Sequence, residues 1–299
     1  MRIRRLVGLA VFCAASLAVL YLVAVRTGWG QRIDNAALAG RTTRPAVQRA
    51  TAHLLDTITL TSLVLGSTVI ALIAAARRRV HLAVTAGALL LVANVVAQVL
   101  KDRVLARPVL VSPNPLGPSF PSGHATVAMS LAIALVLVVP ARMRAATAVG
   151  GLLYACAVGA GTVTAGWHRP SDVLGGYLVT IGSSAAAAAA LVVWRGTGRG
   201  RVSEPRQAPV LSPVLAGVGL ALVGIGFIGF AATFVAMRQN DLDAVRLGGS
   251  YVAALTAIVG VGLVLGAAFL TALRGVELDP LPAVTNREGA LRGTAPPRL

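Results

Sequence analysis

The chain has 299 residues, is 56% hydrophobic and only 12% charged, and carries a formal net charge of +17. So little charge in a chain of this length excludes an ordinary soluble domain. The basic excess does not indicate nucleic acid. The arginines fall in short clusters between apolar runs, as in cytoplasmic membrane loops, and aromatic residues, at 4%, are too few for a base-stacking surface.

A helix crossing a hydrocarbon core of about 30 Å needs roughly 20 apolar residues. Runs of that kind predict spans at 6–25, 57–76, 80–100, 123–139, 146–166, 173–194, 210–236 and 250–273. The fold class is therefore all-α, a polytopic membrane helical bundle. The first run follows Arg2, Arg4 and Arg5, is longer than a signal-peptide core, and is followed by no clear small-x-small cleavage site, so it reads as an uncleaved span. Between the first two spans, residues 42–50 form either a short helix on the membrane surface, started by Thr42 or Thr43 ahead of Pro45, or a plain polar loop. Basic clusters at 2–5, 77–79, 142–144 and 195–206 place the N-terminus in the cytoplasm of a multi-pass protein of the cell inner (plasma) membrane.

Residues 195–209, rich in Gly, Arg and Pro, read as a linker after the sixth span. The expected organisation is a six-span core at 1–200, a linker and two-span block at 201–273, and a disordered cytoplasmic tail at 274–299. The last two spans are rich in glycine, which lets helices approach closely in lipid. Cys13 and Cys156 lie within apolar runs and read as small buried hydrophobes.

The residues able to do chemistry gather in three places. Lys101, the single lysine against 26 arginines, ends the third span, with Arg107-Pro108 shortly after. Pro121-Ser122-Gly123-His124 opens the fourth. Trp167-His168-Arg169-Pro170-Ser171-Asp172 lies between the fifth and sixth. The span order puts all three at the extracytoplasmic end. Lys101 and Arg107 are cations suited to a phosphate dianion. Ser122 and Gly123 begin a helix, whose free N–H groups favour an anion. His168 and Asp172 are four residues apart, so the carboxylate can orient the imidazole, which can attack phosphorus. His124 is then the natural acid for the departing alkoxide. Trp167 sits near a span end, where an interfacial anchor is expected.

These motifs resemble those of the type 2 phosphatidic acid phosphatase superfamily, which includes lipid phosphatases and the soluble vanadium haloperoxidases. Its signature has three parts: Lys, six residues, Arg-Pro; Pro-Ser-Gly-His; and Ser-Arg, five residues, His, three residues, Asp. The second part is intact at 121–124, and the third keeps His168 and Asp172; the motif region covers 101–172. The resemblance implies a lipid phosphatase with His168 as nucleophile and His124 as acid. It implies that Lys101, Arg107, Ser122 and Gly123 hold the phosphate, with no metal and no cofactor. The expected partners are a lipid phosphate or pyrophosphate substrate and the bilayer.

Two departures stand out. Lys101 and Arg107 are separated by five residues rather than six. Gly161-Thr162 stands where the family has Ser-Arg, so another cation must substitute, and Arg169 and Arg103 are the candidates. The same residues would serve a phosphotransferase. A site decayed through the missing arginine would leave a non-enzymatic lipid-binding membrane protein.

Overall fold

The computed structural model describes residues 2–41, 45–76, 80–112, 116, 119–194 and 211–274. Among these the chain is helical and contains no strand. The helices are α1 (Arg2–Leu20), α2 (Gly28–Ala39), α3 (Pro45–Ala76), α4 (Val80–Val99), α5 (Gly123–Val138), α6 (Arg144–Thr164), α7 (Pro170–Trp194), α8 (Leu211–Arg238) and α9 (Ala244–Ala272). Single π-helical turns extend α1 over Tyr21–Val25 and α4 over Leu100–Val104. The linker expected at 195–209 and the tail beyond Arg274 lie outside the described residues.

Six stretches are long and apolar enough to cross a membrane: Ile3–Val25, Val84–Val104, Arg144–Thr164, Pro170–Val193, Leu211–Arg238 and Ala244–Ala272. Two shorter apolar helical stretches, Val64–Ala76 and Gly123–Val138, complete the eight positions expected from hydropathy. The bundle is a polytopic membrane fold. Its centre is α5, apolar on every side and buried along most of its length, packed against α3, α4, α6 and α7. At about 1.5 Å per residue its 16 residues are short for a bilayer.

The first long connection is not as expected. Residues 28–39 form α2, and α3 runs without a break from Pro45 to Ala76. No separate surface helix exists over 45–50, and Thr42, Thr43 and Arg44 lie outside the described residues. The cause is local: Pro45 suits the first helical position, and nothing after it until Ala76 breaks a helix apart from the single Gly66. Helix α2 starts at Thr27, whose hydroxyl accepts from the Gly30 N–H at 3.0 Å.

Helices α8 and α9 form a hairpin in which Gly219 and Gly260 face each other; a Cβ on Gly219 would stand 2.8 Å from the Gly260 carbonyl oxygen. Helix α9 also packs on α2, α6 and α7. A Cβ on Gly262 would meet the Cys156 sulfur at 2.7 Å. Glycine at these positions sets the spacing of α9 against the bundle.

Candidate active site

The first turn of α5 is anchored to α7. Ser122, in extended conformation, caps α5 by accepting from the Ala125 N–H at 3.3 Å. Its own N–H donates to the Asp172 carbonyl at 2.8 Å. Gly176 makes this approach possible, because a Cβ there would lie 2.7 Å from the Ser122 carbonyl oxygen. Gly123 has open space above its Cα. Next in the chain, His124 is half-buried, and its ring lies 5.2 Å from that of Trp167. The tryptophan therefore walls His124 as well as standing near a helix end.

The turn from α6 to α7 presents His168. The Thr162 carbonyl accepts from the N–H groups of Trp167 at 2.9 Å and His168 at 3.3 Å. Gly166 reverses the chain at φ +79, where a side chain would be strained. His168 is buried and sets Nε2 3.2 Å from His124 Nδ1. Its Nδ1 lies 3.7 Å from Asp172 Oδ2, an ion-pair distance rather than a hydrogen bond. That oxygen accepts from the Ser119 hydroxyl at 2.5 Å and from the Arg169 N–H at 2.9 Å. Asp172 is fully buried and fixed on several sides, as an orienting carboxylate should be.

Arg107 is buried behind this group. Its guanidinium donates to Asp34 Oδ2 at 2.8 Å and to the Ser171 hydroxyl at 3.2 Å, and lies 3.9 Å from Asp172 Oδ1. Asp34 in turn accepts from the Ser171 N–H and hydroxyl. Burial pushes the Asp34 carboxyl up to about 6, against the pull of the Arg107 cation. The segment carrying Arg107 is held from both sides. Tyr21 donates to the Ala106 carbonyl at 2.7 Å, while Gln31 donates to the Pro108 carbonyl at 2.7 Å and accepts from the Leu110 N–H at 3.2 Å.

Arg169 is almost fully buried, with Nε donating to Asn35 Oδ1 at 3.2 Å and a terminal nitrogen donating to the Leu116 carbonyl at 3.1 Å. Desolvation, and then the neighbouring Arg107 cation, pull its pKa down. Two guanidinium groups and two carboxylates, Asp34 and Asp172, thus share one buried cluster.

The structure brings together His124, His168, Asp172, Arg107, Ser122 and Arg169. Lys101 lies half-exposed in the π-helical turn at the end of α4 and makes no hydrogen bond or ion pair with the described residues. The five-residue spacing to Arg107 spans this turn, where the Leu105 N–H bonds to the Leu100 carbonyl five residues back. Of the two arginines expected as substitute cations, Arg103 is exposed and Arg169 is buried in the cluster. Asp102 pairs with Gln98 at 2.7 Å rather than with Arg103. Thr162 turns its hydroxyl back to the Gly159 carbonyl and serves the site through its own carbonyl.

Asp34, Asn35, Ser119 and Ser171 were missed. Ser119 and Ser171 flank the motifs, and nothing in their type distinguishes them. A signal for α2 was available: Gln31, Asp34 and Leu38 recur at helical spacing after Thr27, in a chain with only 10 acidic residues. Among the described residues, no group of three or more His, Cys, Asp or Glu side chains is placed to hold a metal ion.

The family model of the PAP2 superfamily, the type 2 phosphatidic acid phosphatases, matches residues 8–199. The chain belongs to the PAP2 superfamily. No curated protein and no solved structure matches it. The PAP2 match includes every residue of the cluster and ends before α8. Membership carries phosphatase-type chemistry on phosphate-bearing substrates in a membrane setting.

Proposed function

We propose that this PAP2 protein hydrolyses a lipid-linked phosphate or pyrophosphate through a phosphohistidine on His168, at the extracytoplasmic face of the membrane. The observation that carries the reading is the opposition of His168 Nε2 and His124 Nδ1 at 3.2 Å, with Asp172 behind the far nitrogen of His168. The two rings touch in the unliganded chain, so an entering phosphoryl group must part them; it then has a nucleophile on one side and a proton donor on the other.

The chemistry follows from those positions. With its Nδ1 proton directed at Asp172, His168 presents the Nε2 lone pair to phosphorus. The P–N bond forms as the bond to the leaving oxygen breaks, and protonated His124 gives its proton to that oxygen. Neutral His124 then takes a proton from water, whose oxygen attacks phosphorus and displaces His168. Inorganic phosphate leaves and both histidines regain their starting states. Arg107, Arg169, the Ser122 hydroxyl and the Gly123 N–H are the donors for the phosphoryl oxygens. The cluster already balances two guanidinium groups against two carboxylates, so the protonated histidine also supplies positive charge for a dianion. Lys101, half-exposed at the end of α4 and without a hydrogen bond or ion pair to the described residues, supplies a further cation for the phosphate.

Candidate substrates are an isoprenoid diphosphate, phosphatidate, phosphatidylglycerophosphate and a polyprenyl-linked sugar phosphate. The test is phosphate release from this panel by the purified chain, with His168→Ala and Arg169→Ala alongside. At least one substrate should be turned over, His168→Ala should be inert, and Arg169→Ala should lose most activity. Equal release by wild type and His168→Ala on every substrate would leave a non-enzymatic lipid binder. Substrate supplied only outside sealed cells tests the face: hydrolysis there is expected, and hydrolysis only after lysis contradicts it.

A further inference from the structure

Beside the cluster lies a cavity of about 680 Å³ that the proposed chemistry does not use. Arg32, Asn35 and Arg41 line it from α2 and its end, Ser112 from the segment after Arg107, and Asn240 from the turn joining α8 to α9. We propose that this cavity binds a second anionic phosphate group of the substrate, beyond the one that is cleaved. The proposal rests on the phosphatase reading and narrows the substrate to lipids bearing two phosphates.

Four observations support it. First, the cavity adjoins the cluster. Asn35 lines it and accepts from Arg169, while Arg41 packs against Gly166, two residues before His168; a Cβ there would meet its guanidinium at 3.0 Å. Second, its charged lining is cationic, consisting of Arg32 and Arg41. The nearest carboxylates are engaged elsewhere: Asp34 with Arg107, Asp241 with Arg246, and Asp243 as the cap of α9. Third, Arg41 has donor capacity to spare. One terminal nitrogen donates to the Leu38 carbonyl at 2.8 Å, and the other makes no hydrogen bond with the described residues. A guanidinium with one side of its fork open is a strong donor to a phosphate. Fourth, the volume equals the liquid share of roughly twenty waters at about 30 Å³ each, more than one phosphate fills and within the usual range of ligand pockets.

The walls are built to stay in place. A Cβ on Gly40 would overlap the Leu247 carbonyl, so the end of α2 is seated directly on the backbone of α9. Trp29 of α2 packs edge-on against Phe234 of α8 at 5.2 Å, and Arg32 stacks on Trp29 at 5.2 Å. Asn240 takes the left-handed conformation at φ 56 that turns α8 toward α9. The hairpin lying outside the family match therefore completes the cavity.

Two lipid chemistries fit: a diphosphate ester, and a headgroup with a phosphodiester inward of a terminal phosphate. The experiment compares kcat/KM for farnesyl diphosphate against farnesyl phosphate, and for phosphatidylglycerophosphate against phosphatidate. Wild type is set beside Arg32→Gln, Arg41→Gln and Ala39→Trp, the last filling the cavity from an exposed position. In one pair, the ratio favouring the two-phosphate lipid should fall about tenfold in each variant; the responding pair identifies the chemistry. Unchanged ratios in both pairs overturn the proposal. Binding of methylenediphosphonate to the intact protein, measured by calorimetry, gives a readout independent of turnover. Weaker binding in Arg32→Gln supports the cavity even if His168→Ala refutes the phosphatase reading, and equal binding by wild type and all three variants overturns it.

Discussion

Asp34 shows how a residue outside the motifs governs one inside them. It fixes Arg107 by a 2.8 Å ion pair and, through Ser171, joins α2 to the first turn of α7. Its carboxyl is raised from an ordinary 3.8 to about 6, chiefly by burial. The sign of the linkage follows. Between about pH 4 and 6 the folded chain keeps a proton that the unfolded chain releases, so the stability Asp34 contributes falls as pH rises through that window. The melting temperature of wild type minus that of Asp34→Asn in detergent should therefore decline from pH 4 to 6; a difference that rises with pH contradicts this. Asp34→Asn should also raise KM for a phosphate substrate roughly tenfold by loosening Arg107, with kcat less affected. Arg169 shows the same economy: its backbone N–H orients Asp172 while its guanidinium lies beside Arg107.

At the scale of elements, the site is a joint between the starts of α5 and α7, and Gly176 sets its closeness. Gly176→Ala would press a methyl against the Ser122 carbonyl, at an overpacking cost of about 1–3 kcal/mol. The start of α5 must shift, so turnover should drop at least tenfold while the protein still elutes as a folded species on size exclusion. Wild-type turnover would show that the joint tolerates movement. The long apolar helices were legible because hydropathy reports lipid burial directly. His124, His168 and Asp172 were legible because their spacing accompanies helix starts. Helix α2 was not, because it is amphipathic and short, and its Gln31 and Asp34 are buried against protein rather than turned to water. Lys101 was conspicuous as the single lysine, and it lies in the π-helical turn that ends α4. Arg169 was named in sequence only beside Arg103 as a substitute cation; tertiary structure is what places it next to Arg107.

For the whole molecule, the bundle acts as a rigid holder for one end. The first turn of α5 is tied to the start of α7, Asp34 of α2 holds Arg107 and Ser171 beside it, and α9 packs against α2. The lipid-linked substrate proposed above follows from the membrane setting of the family. The account turns on covalent transfer to His168, and the most direct measurement is to trap it. Purified protein is mixed with a lipid substrate labelled with ³²P in the phosphate to be cleaved and quenched in alkali, where a phosphohistidine survives. Label should remain on wild-type protein, be removed by acid, and be absent from His168→Ala. Turnover by wild type without any label, or equal labelling of His168→Ala, would contradict the account.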